Sequence, residues 1–245
     1  MKIDLNCDLG EAFGRYTLGD DASIMPLITS ANIACGFHAG DASVMQVTVR
    51  LAKQHGVAIG AHPGWPDLQG FGRREMALSP EETESLVLYQ IGALAAFAKA
   101  EGMELYHVKP HGALYNQSAR DEKLAEAVAR AVKRFSVELA LVGLAGSRSI
   151  DAARGLGLRV LQEGFPDRGY TSEGMLMPRS QPGAILSSVE EVAAHAVSLA
   201  VNGIEFEKKQ IRVDTLCLHG DNVHAVDNAR KVRDALQKAG IEVAF

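Results

Sequence analysis

Short apolar runs alternate with segments of helical hydrophobic spacing from one end of the chain to the other. The apolar runs predict buried strands, whereas apolar residues three and four positions apart predict helices that pack on one face. The predicted strands lie near residues 2–7, 30–36, 57–61, 105–109, 138–143, 158–163 and 213–218, with a short final strand in 241–245. The predicted helices lie near residues 41–55, 80–101, 119–134, 147–156, 188–202 and 223–239.

The repeated alternation of strand and helix predicts an α/β fold with parallel strands and right-handed crossover connections. Seven or eight such units indicate a closed or nearly closed (β/α) barrel, which typically needs about 250 residues. An open doubly wound sheet is the alternative, because periodicity alone does not separate the two folds. The 245 residues contain no linker-like segment, so we expect a single barrel domain spanning residues 1–245.

Two connections, about 63–78 and 165–186, are longer than the loops that usually join strands and helices. Both are rich in Gly and Pro, and both follow a strand on the same side of the expected barrel. They are either plain surface excursions or, by analogy with other barrels, a lid or a surface for partner docking.

The composition excludes several classes of function. A net charge of −5 without a Lys/Arg cluster gives no support for nucleic-acid binding. The N-terminal apolar run breaks at Asp4 and Asn6, so we expect no signal peptide, and no stretch has the ~20 apolar residues of a membrane span. Cys7, Cys35 and Cys217 lack CxxC spacing, which indicates reduced thiols in a cytoplasmic protein.

Ionisable residues gather at the ends of the predicted strands. Four of the eight histidines close apolar runs in this way: His38, His62, His111 and His219. Three carboxylates have the same placement: Asp8, Glu11 and Glu163. Because active sites of parallel sheets and barrels form at the carboxyl ends of the strands, this bias predicts an enzyme with its site at that rim.

Strand parity extends this set into the barrel. Side chains alternate across a strand, so His107, Lys109 and His111 share one face of the fourth strand. The first and last strands align two further polar sets: Asp4, Asn6 and Asp8, and Thr215, Cys217 and His219. We expect these faces to point inward, where small residues such as Gly60 leave room. A polar interior is costly unless it is hydrogen-bonded or functional.

Lys109 is the strongest single functional candidate, because a lysine two residues before a strand-end histidine has little packing value. His107 lies deeper in its strand and is expected to be a hydrogen-bonded core group. The remaining histidines lie in or beside helices and are expected to be structural or solvent-facing: His55, His195 and His224. Cys7 and Cys35 are expected to pack as small hydrophobic residues.

Metal and anion sites are weaker predictions. Histidines and carboxylates converging from several strands can supply mixed N/O ligands, with these metal candidates: Asp8, His38, His62 and His219. No HExxH motif or P-loop supports them. The turn at Gly146 and Ser147 is either an anion site at a helix start or a plain strand-to-helix turn. Arg73, Arg74 and Arg168 in the long connections are candidate clamps for phosphate or carboxylate.

Seven blocks of the sequence together resemble the LamB/YcsF family: DLNCDLGE, ANIACGFHAGD, GAHPGWPD, GFGRR, VKPHGALYN, EGFPDRGY and CLHGD. Members of this family are the A subunits of bacterial ATP-dependent 5-oxoprolinase. The resemblance implies a TIM-like, seven-stranded (β/α) barrel of the glycoside hydrolase/deacetylase type. It also implies ATP-dependent opening of 5-oxo-L-proline to L-glutamate together with partner subunits B and C. The sequence leaves open whether copies of the chain form a homo-oligomer.

With that reaction, the candidate residues take hypothetical roles. Lys109 would stabilise phosphoryl or oxyanion charge, supported by Arg73 or Arg168. A second group would position and deprotonate water: Asp8, Glu11, His38 and His111. A third group would bind substrate or phosphate, orient the bases or hold a divalent ion: Asn6, His62, Glu163, His219 and Asp221. The cofactor is ATP, with a divalent metal either as Mg²⁺ on ATP or as an ion bound in the site.

Two other functions fit the same residues. One is a stand-alone, metal-dependent hydrolase or deacetylase acting on an amide or carbohydrate. The other is a non-catalytic subunit that scaffolds B and C, which ranks last because a scaffold has no need for Lys, His and carboxylates along a barrel interior. Metal analysis and an activity assay with and without B, C and ATP separate the three.

Overall fold

The computed structural model describes residues 1–178, 180–186, 188–206, 209–218 and 225–245. The strands are β1 (Lys2–Leu9), β2 (Ser30–Ala34), β3 (Ala58–His62), β4 (Leu105–Val108), β5 (Ala140–Leu144), β6 (Arg159–Gly164), β7 (Ile204–Phe206), β8 (Lys209–Ile211), β9 (Thr215–Leu218) and β10 (Glu242–Val243). The α-helices are α1 (Asp21–Ile24), α2 (Ala42–His55), α3 (Pro80–Ala100), α4 (Gly112–Ser118), α5 (Glu122–Phe135), α6 (Arg148–Gly155), α7 (Val189–Asn202) and α8 (Ala225–Lys238). A 3₁₀ turn at Met25–Leu27 follows α1.

Seven parallel strands close into a ring in the order β1, β2, β3, β4, β5, β6 and β9. β9 completes the ring by pairing with β6, through Glu163 and Thr215, and with β1, through Asn6 and Cys217. The seven-stranded (β/α) barrel is therefore confirmed, and the open doubly wound sheet is excluded. The seven predicted strands of the ring all form, with ends shifted by at most two residues.

The short strand expected in 241–245 also forms, as β10, which pairs in parallel with β1 through Lys2 and Glu242. The antiparallel hairpin of β7 and β8, between α7 and β9, was not predicted. Its strands have three residues each, too few for an alternation of apolar and polar positions to be recognised.

The predicted helix over 119–134 is wrong at its start. The chain forms α4 over Gly112–Ser118, then breaks, and begins α5 at Glu122. The Asp121 side chain ends this break by accepting a hydrogen bond from the Leu124 amide, as an N-cap does. The helix α4 escaped prediction because its residues follow the strand-end histidine directly and were interpreted as a loop.

Local signals explain the other long helices. Ser79 and Glu82 form a reciprocal capping box at the start of α3, with Pro80 in the first turn. Asp41 caps α2 by accepting from the amides of Ser43 and Val44, and Gly56 ends that helix in the left-handed conformation. None of the helices within the described ranges is long and apolar enough to cross a membrane.

Strand parity is confirmed in β1. The outward set is apolar and buried against the helices: Ile3, Leu5, Cys7 and Leu9. The alternate set is polar and contacts other strands across the interior: Asp4, Asn6 and Asp8. The interior therefore depends on hydrogen bonds, because each buried polar group needs a partner.

A polar network closes the lower end of the barrel interior, the end at which the strands begin. Asp4 accepts hydrogen bonds from the hydroxyls of Thr29 and Ser30, at 2.6 and 2.9 Å, and from Thr215. His107 contacts Asn32 Oδ1 through Nε2 at 2.7 Å, and its ring occupies the space over Gly60. Burial lowers the pKa of His107 to about 3. His107 is thus a hydrogen-bonded core group, as expected.

We expect Gly60→Ala to destabilise the barrel strongly. A Cβ at Gly60 would overlap the imidazole ring of His107, so the buried ring or the backbone must move, which costs at least about 1–3 kcal/mol. Gly92→Ala in α3 is the matched control, because its Cβ meets nothing within 4 Å and it should stabilise the helix by about 0.5–1 kcal/mol. Urea unfolding measures both, and equal stability of the two variants would contradict the packing described here.

Acid should destabilise the protein partly through His107. Its folded-state pKa of about 3 lies below the ordinary 6.5, so the unfolded chain takes up a proton that the folded chain excludes. Stability is therefore full above about pH 6.5 and falls towards pH 3, by up to ~1.4 kcal/mol per pH unit for each such histidine. His107→Gln should make the fall shallower by that amount in urea titrations at several pH values. A slope identical to that of the unaltered protein would show that His107 takes no part.

Candidate functional site

A cavity of about 950 Å³ lies at the carboxyl ends of the barrel strands. Its walls include strand-end residues from three strands: Asp8, His62, Lys109 and His111. The two long connections contribute further lining residues, among them Phe71 and Arg73 from one and Arg168 and Met177 from the other. The volume is within the range of small-molecule sites in proteins. The structure thus brings part of the predicted set around one cavity: Asp8, Glu11, His62, Lys109 and His111.

Lys109 forms the inner end of the cavity. Its ammonium Nζ lies 2.9 Å from Asp8 Oδ1 and 2.8 Å from Glu163 Oε1. It also contacts Asn6 Oδ1 at 3.3 Å and Cys217 Sγ at 3.0 Å. Lys109 thereby connects side chains of β1, β6 and β9 across the ring.

The Lys109 side chain is charged despite its burial. Burial opposes the ammonium, but the carboxylates of Asp8 and Glu163 outweigh it and raise the pKa of Lys109 well above its ordinary value. The centre of the Phe165 ring lies 5.4 Å from Nζ, so a cation–π interaction also stabilises the ammonium group. A permanently protonated lysine cannot act as nucleophile or base; it can stabilise negative charge.

Asn6 and Glu163 lie beneath Lys109 and do not line the cavity. Asn6 Nδ2 donates to Glu163 Oε1 at 3.0 Å and to Thr215 Oγ1 at 2.6 Å. The Tyr115 hydroxyl is also near Glu163. Burial is the main cause that raises the pKa of Tyr115, and the negative charge of Glu163 raises it further. The structure therefore places Asn6 and Glu163 where they hold Lys109 rather than where a ligand would contact them.

A group of imidazoles and a carboxylate lies beside Lys109, and those of its members that line the cavity form one of its walls. Its members are Glu11, His38, His62 and His111, and one ligand atom from each lies within 4.8 Å of the others, so the group could hold a metal ion. His62 Nδ1 lies 2.7 Å from the Lys109 carbonyl, and His111 Nε2 lies 2.8 Å from the Phe71 carbonyl. The remaining nitrogens of these two rings face each other at 3.0 Å.

His38 lies behind this wall. Its ring stacks on that of His111 at 3.7 Å, with an angle of 2° between the planes, and it does not line the cavity. Its Nε2 lies 3.4 Å from Glu11 Oε1. Burial is the main cause that lowers the pKa of His38 well below its ordinary value and that of His111 to about 3. Both imidazoles are therefore neutral near pH 7.

Each long connection is held by one arginine. Arg74 forms an ion pair with Asp67, and hydrogen bonds from Arg74 are the main cause that lowers the pKa of that carboxyl to about 2. In the second connection, Arg168 is buried and donates to the carbonyls of Met177 and Ala184, at 2.6 and 3.0 Å. Arg74 and Arg168 thus anchor described parts of the two connections near the cavity rim. Arg73 is exposed, with its guanidinium 4.9 Å from the centre of the Phe71 ring.

Other predicted residues divide into three groups. His219, Asp221 and His224 lie outside the described residues. Ser147 lines the cavity at the start of α6, while the Gly146 amide already donates to Gln162 Oε1 at 3.2 Å. His195 Nδ1 lies 2.9 Å from the Pro166 carbonyl, a structural contact as expected.

Two neighbours of the site were not singled out from the sequence. Tyr115 projects from α4, a helix that was not predicted, so nothing placed it near Glu163. Cys217 was aligned with the inward face of the last strand, but the contact with Lys109 depends on how the ring closes. Parity was the available signal for Cys217, and the helical spacing after His111 was the available signal for Tyr115.

Comparison with known proteins agrees with the resemblance of the sequence blocks. The chain is 55% identical to the A subunit of 5-oxoprolinase from Pyrococcus furiosus, over 99% of this chain and 97% of the relative. A crystal structure of a lactam utilization protein from Thermus thermophilus superposes with a TM-score of 0.93 at 53% identity, covering 100% of this chain and 99% of the other.

A more distant likeness concerns the fold alone. A family 4 carbohydrate esterase from Streptomyces lividans has a TM-score of 0.55 at 11% identity, covering 100% of this chain and 92% of that one. This chain and the esterase therefore share a barrel fold. The LamB/YcsF family model matches residues 3–245, and with more than half identity to full-length relatives this chain belongs to the LamB/YcsF family.

Proposed function

We propose that this chain is the A subunit of an ATP-dependent 5-oxoprolinase, which hydrolyses the lactam of 5-oxo-L-proline to L-glutamate. The observation that carries the proposal is the charged Lys109 at the inner end of the cavity, beside neutral imidazoles. The names of the relatives, which describe the A subunit of 5-oxoprolinase and a lactam utilization protein, support the substrate class.

A five-membered lactam is a stable amide, so its hydrolysis needs activation of the carbonyl group. ATP would transfer its γ-phosphoryl group to the carbonyl oxygen. One water would add to the same carbon, and the ring C–N bond would break as the nitrogen takes a proton. A second water would release phosphate from the resulting acyl phosphate. Negative charge develops on oxygen at each addition, which a fixed cation in a buried site stabilises.

The described residues suit these demands. Lys109 would neutralise charge on the carbonyl or phosphoryl oxygens. Asp8 is the carboxylate of the wall nearest to Lys109, and its Oδ2 would accept the proton of the attacking water. Glu11 and His111 line the same wall and would position that water. Arg73 and Arg168 lie at the cavity rim, where they would bind the phosphoryl group or the substrate carboxylate.

The partners in this proposal are the subunits B and C, since the relatives' own name describes one subunit of a larger enzyme. The two connections at the cavity rim, 63–78 and 165–186, would form the docking surface, because a phosphorylated lactam must be shielded from bulk water. ATP is the proposed co-substrate of the assembled enzyme. His219 and Asp221 keep their proposed roles in substrate binding.

The experiment that tests this proposal is an assay of the purified chain alone and together with B and C. We expect 5-oxoproline turnover, with ADP and glutamate formed in equal amounts, only when all three subunits and ATP are present. Turnover of simple amides or acetylated sugars by this chain alone, abolished by a chelator, would instead identify a stand-alone metal-dependent hydrolase. Full activity of B and C without this chain would leave only a scaffold role.

Lys109→Met should lower kcat of the assembled enzyme by about 10²–10³ or more, because removal of one preorganised charge-stabilising group has effects of this size. Lys123→Met on the exposed face of α5 is the matched control and should retain full activity. Glutamate formation measures both.

Loss of Lys109 also leaves the buried Glu163 and the partly buried Asp8 without their cation, which destabilises by about 3–5 kcal/mol. Folding of the variant is therefore checked by circular dichroism, and Asp8→Asn provides a second, nearly isosteric variant that should also lose turnover. Retained ATP-coupled activity in both variants would refute the proposed site.

A further inference from the structure

The pair His62 and His111 presents a problem of hydrogen-bond chemistry. Carbonyl oxygens only accept hydrogen bonds, so His62 Nδ1 must donate to the Lys109 carbonyl and His111 Nε2 must donate to the Phe71 carbonyl. In neutral rings the other two nitrogens then both carry lone pairs. These nitrogens, His62 Nε2 and His111 Nδ1, nevertheless face each other at 3.0 Å. Two lone pairs at that distance need a cation between them.

The same arrangement is typical of histidines that bind metals. A ligating imidazole usually donates its other N–H to a backbone carbonyl or carboxylate, which orients the ring and directs the lone pair at the ion. Both rings have such a carbonyl. Their planes are perpendicular, at 88°, so one point in space can lie in both ring planes and on both lone pairs.

Glu11 supplies the third ligand. Its Oε1 lies 3.5 Å from His111 Nδ1. Tetrahedral coordination with bonds of about 2.0–2.1 Å separates neighbouring ligand atoms by about 3.3 Å. The measured separations of 3.0 and 3.5 Å bracket that value. Asp8 Oδ2, 3.4 Å from His62 Nε2, adds a second carboxylate whose charge would help to balance a divalent ion.

His38 is close to Glu11, His62 and His111, but its orientation does not suit a ligand of the same ion. Its ring is parallel to that of His111 at 3.7 Å, so an ion in the plane of one ring lies far out of the plane of the other. Its Nε2 lies 3.4 Å from Glu11 Oε1 and can orient that carboxylate. His38 is therefore a positioning residue behind the ligands.

We propose that Glu11, His62 and His111 bind a divalent transition-metal ion of the Zn²⁺ class, with an open coordination position that faces the cavity. Two imidazoles and a carboxylate select such ions over Mg²⁺, which prefers oxygen ligands and water. All three ligands line the cavity, whereas His38 does not, so the fourth position is directed to the space where a substrate or water would lie. This inference stands whether or not the lactam reaction is correct.

The test uses the full chain, dialysed against a chelator and then titrated with Zn²⁺ or Co²⁺ in the presence of a large excess of Mg²⁺. Metal analysis after equilibrium dialysis should give one ion per chain, and bound Co²⁺ should show the visible absorption of a four- or five-coordinate site. Glu11→Gln and His62→Gln should each weaken binding by more than about 100-fold, because loss of an outer-shell partner alone weakens it by about 10–100-fold.

His38→Ala should weaken binding by only about 10-fold, as expected for a positioning residue. His55→Ala, at the exposed end of α2, is the control for adventitious histidine binding and should change nothing. Circular dichroism and cooperative unfolding establish that each variant is folded.

The proposal is overturned if the unaltered chain binds no stoichiometric ion, if His55→Ala removes the binding, if Mg²⁺ competes on equal terms, or if the Glu11 and His62 variants bind as well as the unaltered chain. A proton shared between His62 Nε2 and His111 Nδ1 would then take the place of the metal ion. Since binding and Co²⁺ absorption are measured without turnover, a failure of the metal site is distinguishable from a failure of the 5-oxoprolinase proposal.

Discussion

A charged lysine inside a closed barrel is the constraint on which the rest of this structure depends. An ammonium group removed from water is tolerated only with close counter-charges and satisfied hydrogen bonds. Asp8 from β1 and Glu163 from β6 supply the charges for Lys109, and Asn6 links Glu163 to Thr215. Strands that are distant in sequence are therefore held together by the same polar contacts that hold the cation at the inner end of the cavity.

The barrel interior has two levels with different chemistry. The lower level, around Asp4 and His107, consists of hydrogen-bonded groups that close the barrel floor. The upper level combines one fixed positive charge with the imidazoles of His38 and His111, which burial keeps neutral, and it opens into the cavity. Neutral imidazole lone pairs beside a permanent cation are a useful combination for hydrolysis, because proton acceptance or metal binding and charge stabilisation are provided by separate groups.

Much of this architecture could be predicted, for reasons that are visible in particular residues. The alternation of Ile3, Asp4, Leu5 and Asn6 determines which side chains face inward, since the pleat of a strand imposes it locally. The same parity placed Lys109 and Cys217 in the interior. Prediction failed for α4, where seven helical residues follow a strand-end histidine without a capping signal, and for the short hairpin of β7 and β8.

The sequence by itself determined the strand and helix order, the inward faces and the set of ionisable residues at the rim, because periodicity, caps and turns act over a few residues. Only the tertiary structure decided which of these groups meet: that Glu163 lies under Lys109, that Glu11 joins His62 and His111, and that His38 stacks behind them. The physical reason is that contacts across the ring depend on the tilt and stagger with which seven strands close, and no local pattern encodes that geometry.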